Sequence, residues 1–225
     1  GGSDPLIVFE DADVQHAAQV ACVSRFQNAG QSCIAAKRFL LHHRVQAAFI
    51  AALKQAMEKL QPGNPMDPGT GLAPLAKKEY LLELDRQVGA TLKEGGRLIT
   101  GGEAVSDMKA TYLPTLMEGV TPEMTAGKEE LFGPVAAIMT FQENDEAIHL
   151  ANSTRFGLGS SIFTFNETLI AHCKNELHAG SVYVNGLMKS HPALPFGGTK
   201  ASGFGRELAD EGLKAFSNIK TFWEK

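Results

Sequence analysis

What most constrains the fold of this chain is a repeated alternation. Stretches with apolar residues at helical spacing give way to short, nearly continuous apolar runs. From Val45 the positions Phe49, Ala52, Leu53, Ala56, Met57 and Leu60 form a helical stripe, which the turn sequence Pro62-Gly63-Asn64-Pro65 stops. A second stripe through Leu81, Leu84, Val88 and Leu92 ends at Gly95-Gly96 and passes into Arg97-Leu98-Ile99-Thr100, a predicted strand. Beyond it the pattern predicts strand from Val135 to Phe141, helix from Asp145 to Ser153, strand from Ser160 to Phe165, helix from Glu167 towards Leu177, and strand from Ser181 to Asn185. Such alternation predicts an α/β fold, a three-layer αβα domain with a mainly parallel sheet covered on both faces. Near the N-terminus, Asp11 and Asp13 suit a helix cap, and an alanine-rich stretch without Gly or Pro runs from there to Gly30. That helix is expected to lead into the region of Cys33. No internal repeat or low-complexity linker divides the chain.

With 225 residues, 44% of them hydrophobic, one domain can bury a substantial core. The three cysteines, Cys22, Cys33 and Cys173, form no CxxC pair and leave one over, which fits a reducing compartment such as the cytoplasm or an organelle matrix. The central apolar stretch Ala47 to Leu53 is too short to cross a bilayer, and the N-terminus shows no signal-peptide pattern, so a soluble protein without a membrane partner is expected. A formal charge of -4 with no long basic run argues against nucleic acid as a partner.

Chemistry concentrates at Phe26-Gln27-Asn28-Ala29-Gly30-Gln31-Ser32-Cys33-Ile34. A cysteine after a glycine-containing bend can present both its thiol and its own N–H to one substrate atom. Taken alone, Cys33 also reads as a small buried residue, the common state of a free cysteine. Other motifs fail. Gly198 to Gly203 has Walker-like spacing, but Phe204 stands where the lysine belongs, and there is no GxGxxG. The seven histidines contain no HxxxH, and His42 and His43 are predicted to point apart on a strand, so no metal site is expected.

Gly30-Gln31-Ser32-Cys33 resembles the active-site cysteine motif of the aldehyde dehydrogenase superfamily. Three further stretches resemble the same family in the same order: Gly1-Gly2-Ser3-Asp4-Pro5; Glu129-Glu130-Leu131-Phe132-Gly133-Pro134; and Pro195-Phe196-Gly197-Gly198, followed by Lys200, Ser202-Gly203 and Gly205-Arg206-Glu207. This resemblance implies a catalytic domain over residues 1–217 and an oligomerisation strand over 218–225, with Asn218 to Trp223 pairing with another subunit of a homo-oligomer. It also implies that Cys33 is the nucleophile. Glu130 accepts hydrogen bonds from a ribose of NAD or NADP, Phe132 packs by the nicotinamide, and Asn185 and Phe196 border the substrate tunnel. The main cofactor-binding domain, and a general-base glutamate two positions before Gly1, are expected outside this chain, so that the chain by itself folds without turning over aldehyde.

The wider match through Val182-Tyr183-Val184-Asn185-Gly186 and Thr121 to Ala126 is most similar to bacterial succinate-semialdehyde dehydrogenases. A substrate ending in a carboxylate calls for a cation or hydroxyl donors at the outer end of its tunnel. Lys189, Ser190 and His191 lie on the loop where the family places such contacts. The chain departs from some of these enzymes in carrying Gln27 where they have an arginine; its nearest arginine is Arg25, predicted to point elsewhere. Two other readings stay open: a cysteine acyl-hydrolase pairing Cys33 with a histidine, and a non-catalytic interaction domain derived from the same fold.

Overall fold

A computed structural model describes residues 1–105 and 110–225. In chain order the elements are β1 (Asp4–Val8), α1 (Val14–Phe26), β2 (Ala36–His42), α2 (Gln46–Met57), α3 (Lys78–Lys93), β3 (Arg97–Thr100) and β4 (Thr115–Glu118). They continue with α4 (Thr125–Lys128), β5 (Val135–Phe141), α5 (Asn144–Asn152), β6 (Ser160–Phe163), α6 (Glu167–Glu176), β7 (Val182–Val184) and α7 (Ala209–Ala215). The strands form one sheet in the order β3-β4-β5-β2-β1-β6-β7, parallel except where β3 meets β4. Helices cover both faces. Alternate residues of β2 divide between them: Phe39 and Leu41 pack towards Ala18 and Phe49 of α1 and α2, while Leu40 packs towards Val88, Ile148 and Cys173 of α3, α5 and α6. The expected three-layer α/β fold is the observed one.

Element limits differ from expectation where side chains intercept backbone groups. Strand β6 stops at Phe163, and Asn185 and Asp11 take the backbone N–H groups of Thr164 and Phe165. Its partner β7 shortens to Val182–Val184. The sequence pattern predicts neither β1 nor β4, and it marks β2 only at its His42 end. In β2 the reason is a pair of cations, Lys37 and Arg38, inside a strand that is buried at every position. A buried unpaired charge costs several kcal/mol, so each cation must be fully bonded. Arg38 donates to Ser3 O at 2.9 Å and to Leu150 O and Ala151 O at 2.8 Å, which adds a charged donor to carbonyls in the last turn of α5. Lys200 joins at the same helix end, donating to Asn152 O and Thr154 O.

The two adjacent histidines do not point apart. Strand β2 ends at His42 and the chain turns at His43, so the two rings lie with centroids 4.5 Å apart. Among the described residues no helix is long and apolar enough to cross a membrane. Asn218 to Trp223 form no strand within this chain, and Ile219, Phe222 and Trp223 are exposed.

Candidate active site

The nucleophile loop is shaped by the way α1 ends. Asp13 caps the helix start by accepting from His16 N–H. At the other end Asn28, Ala29 and Gly30 take positive φ values of 52°, 53° and 74°, which reverses the chain and carries Ser32-Cys33 to the head of β2. Asn28 and Gln31 brace this reversal by exchanging side-chain bonds with each other's carbonyls. Gly30 is needed for space as well as for its φ, since a Cβ there would lie 2.3 Å from Gly133 O. The cysteine turn therefore packs directly on the Glu130 to Pro134 segment, joining two motifs that lie far apart in sequence.

Gly1-Gly2 enters the same place. Gly2 N–H donates to Glu130 Oε1 at 3.1 Å, and a Cβ on Gly2 would meet Cys33 O at 2.9 Å and Leu158 Cβ at 3.0 Å. Beneath the turn lies Lys37. Its Nζ donates to Ser32 O at 2.9 Å and to Cys33 O and Ala35 O at 3.1 Å, and pairs with Glu130 Oε1 at 3.4 Å. Arg25, fully buried on α1, reaches the carbonyls of Gly30 and Ala36. Burial pushes Lys37 down to about 8, with Arg25 adding to the effect and Asp4 and Glu130 opposing it. Burial likewise pushes Arg25 down to about 9. Asp4 is pushed up to about 7 by burial, against the pull of Lys37 and a bond from Gly159 N–H.

Cys33 is exposed, whereas Cys22 and Cys173 are buried within α1 and α6, where burial raises both thiols, Cys173 to about 11. No histidine ring among the described residues hydrogen-bonds to Cys33. The neighbouring glutamates diverge. Glu129 is held at the surface by Arg86 at 2.6 Å and Gln87 at 2.9 Å, while Glu130 turns inward beside Gly2 and Lys37. The Gly2 N–H bond and the Lys37 ion pair both fall on Glu130 Oε1, so Oε2 keeps its acceptor capacity. Phe132 is exposed and presents a free ring surface rather than plugging the core.

The expected substrate residues separate. Asn185 does not join the site. It follows β7, whose last residue Val184 lies level with Ile162, Ile7 and Leu40, whereas Cys33 precedes the first residue of β2 at the other end of the sheet. Both ends of its amide are taken by Thr164, the Oδ1 accepting from N–H at 3.1 Å and the Nδ2 donating to O at 3.0 Å. Asn185 is a clasp between β6 and β7. The loop after it does return to the Cys33 end: Met188 packs on Gly159, just before β6, and the exposed Lys189 and Ser190 follow. Phe196 is half-buried, bridged to Glu207 by paired backbone bonds of 2.8 Å, and shares a groove with Leu158.

Sequence reasoning missed Lys37 and gave Arg25 and Asp4 no role in holding the cysteine turn. A signal existed, because two cations interrupt the apolar run from Ile34 to Leu41, and charges inside a buried strand require partners.

Residues 1–222 match the aldehyde dehydrogenase family. The chain belongs to that family. It is 45% identical over its whole length to a succinate semialdehyde dehydrogenase [NAD(P)+] of Escherichia coli, of which it covers 48%. It is 44% identical over 99% of its length to a succinate-semialdehyde dehydrogenase [NADP(+)] of Mycobacterium ulcerans, covering 49% of it. Among solved structures, an indole-3-acetaldehyde dehydrogenase in complex with NAD matches all of the chain with a TM-score of 0.96 at 34% identity, over 46% of that protein. A succinate-semialdehyde dehydrogenase from Burkholderia pseudomallei matches 96% of the chain with a TM-score of 0.93 at 35% identity, over 45% of its own length. The chain thus spans about half the length of the curated relatives it matches.

Proposed function

We propose that this chain carries the nucleophile of an NAD(P)-dependent aldehyde dehydrogenase that oxidises succinate semialdehyde to succinate. The observation that carries the reading is the exposed Cys33 on a reversed turn packed against Glu130 and Gly133, in a chain 42–45% identical to enzymes named for that substrate. Cys33 Sγ, as thiolate, forms a bond to the aldehyde carbon, and the carbonyl oxygen takes the displaced electron pair beside the Cys33 N–H. A bound nicotinamide dinucleotide supplies the hydride acceptor. Loss of hydride leaves a thioester on Cys33, which water hydrolyses to the acid. Glu130, whose Oε2 takes no bond from the described residues, would accept from a ribose hydroxyl of that dinucleotide, and the exposed Phe132 ring would lie by its nicotinamide. Lys189 and Ser190 bind the substrate carboxylate by charge-assisted hydrogen bonds, and Phe196 forms an apolar wall of the tunnel. The exposed apolar residues of Asn218 to Trp223 pair with a second copy as an edge strand. The reduced thiols suit the cytoplasm.

Mass-mapped alkylation tests this reading. Succinate semialdehyde is expected to slow labelling of Cys33 selectively, and Cys33→Ser in the full protein is expected to abolish succinate semialdehyde-dependent NADH or NADPH formation. Retained turnover in Cys33→Ser would overturn the reading.

A further inference from the structure

A trans peptide group carries its C=O and N–H on opposite sides. Around Cys33 the carbonyls are drawn inward: those of Ser32, Cys33 and Ala35 converge on Lys37 Nζ, and those of Gly30 and Ala36 turn to Arg25. The Ser32 carbonyl and the Cys33 N–H belong to one peptide. With that carbonyl bonded to a buried ammonium at 2.9 Å, the N–H faces away from Lys37, and it makes no hydrogen bond to any described residue. Lys37 thus contacts three carbonyls of the nucleophile turn.

We infer that Lys37 is a positioning residue: it aims and polarises the Ser32–Cys33 peptide so that the Cys33 N–H stabilises the oxyanion formed when the Cys33 thiolate adds to a carbonyl. This rests on the reading of Cys33 as nucleophile. Only an ammonium fits the role. A neutral amine has two N–H donors and cannot serve three carbonyls, whereas the ammonium has three. Its charge withdraws electrons through the Ser32 carbonyl, which makes the N–H of the same peptide a stronger donor. The charge is held by the acidic groups that face it, Glu130 ahead of β5 and, above about pH 7 where it ionises, Asp4 from β1, against the opposing cation Arg25 from α1. Because Glu130 is also the residue placed to accept a cofactor ribose, Lys37 links the nucleophile turn to the cofactor side of the site.

Two electrophiles that react with the same thiol isolate this effect. Iodoacetamide is displaced at carbon: the Cys33 thiolate forms the C–S bond as iodide leaves, and no oxyanion arises. With p-nitrophenyl acetate, the thiolate adds to the carbonyl, the oxygen takes up the electron pair, and collapse expels p-nitrophenolate to leave an acetyl thioester. The ratio of acylation to alkylation rates cancels the availability of the thiolate and reports the oxyanion donor. Lys37→Met is expected to lower this ratio by about tenfold or more, a share of the hundredfold or larger loss typical of a whole oxyanion donor. Lys37→Gln, which keeps donors but not charge, is expected to lower it as well and guards against failure of the first variant to fold.

The unmodified protein supplies an independent arm. Because burial holds Lys37 near 8, its cation is present below that pH and lost above it, so the ratio is expected to fall as pH rises from about 7 to about 9. An unchanged ratio in either folded variant would overturn the inference and reduce Lys37 to a structural residue. Labelling that maps to a cysteine other than Cys33 would instead defeat the reading of the nucleophile.

Discussion

Gly2 N–H donates to Glu130 Oε1 across 3.1 Å, and this bond seats the N-terminal segment directly under the carbonyl of Cys33. Three parts of the chain meet there with no room to spare. A Cβ at Gly2 would lie within 3.0 Å of Cys33 O, Leu158 Cβ and Asp4 Oδ1, the last held in place by a bond from Gly159 N–H. Gly2→Ala is therefore expected to destabilise the fold by about 1 to 3 kcal/mol, the usual cost of overpacking. It should also slow alkylation of Cys33, because the displaced atoms belong to the nucleophile turn. Denaturant midpoints and the iodoacetamide rate constant measure the two effects; wild-type values for both would remove the packing argument.

The three thiols are expected to react in a fixed order. Cys33 is exposed, while Cys22 and Cys173 lie buried with raised pKa values, so limiting iodoacetamide should label Cys33 first. Peptide mapping after partial labelling decides this, and early modification of Cys173 would contradict the burial described here.

Asn185 is expected to matter for stability and little for substrate. Replacement by Ala removes two side-chain bonds to Thr164 and keeps a β-carbon at φ 53°, a loss of roughly 2 kcal/mol or more. Asn185→Gly should recover about 1 kcal/mol of that, since glycine tolerates the left-handed backbone. Thermal melting tests the order Asn, Gly, Ala. A large rise in KM for aldehyde at unchanged stability would return Asn185 to the substrate site.

Asp4 makes stability depend on pH. Burial raises its pKa from 3.8 to about 7, so between these values the folded state binds a proton that the unfolded state has released. Stability contributed by this group is expected to be full below about pH 4 and to decline as pH rises to about 7. Asp4→Asn should lack that decline. Urea denaturation of both proteins across this window measures it, and parallel profiles would show that Asp4 does not carry the effect.

The loop at Lys189 and Ser190 is expected to sort substrates by charge. Losing charge-assisted hydrogen bonds costs about 1.5 to 3 kcal/mol, so replacing both residues with Ala should raise KM for succinate semialdehyde roughly tenfold or more. An uncharged aldehyde of similar length should be little affected. Equal effects on both would assign the loop to structure.

The sequence by itself determined the layering, the helices α2, α3, α5 and α6, the strands β3 and β5, and the residues around Cys33 and Glu130, because periodicity and local motifs are written in contiguous residues. It marked β2 only at its His42 end, because Lys37 and Arg38 read as polar until partners distant in sequence, Glu130, Ser3 and Leu150 among them, supply the bonds that let both cations be buried. Nor could it separate Asn185 from the site: a residue near a motif in sequence lies at the opposite end of a parallel sheet once the strand between them has run its length. Tertiary structure alone decided which groups surround Cys33, because the turn is held by carbonyl and carboxylate contacts from α1, β1, β2 and the segment before β5. Such contacts depend on where strands stop and chains reverse, and sheet pairing sets those places.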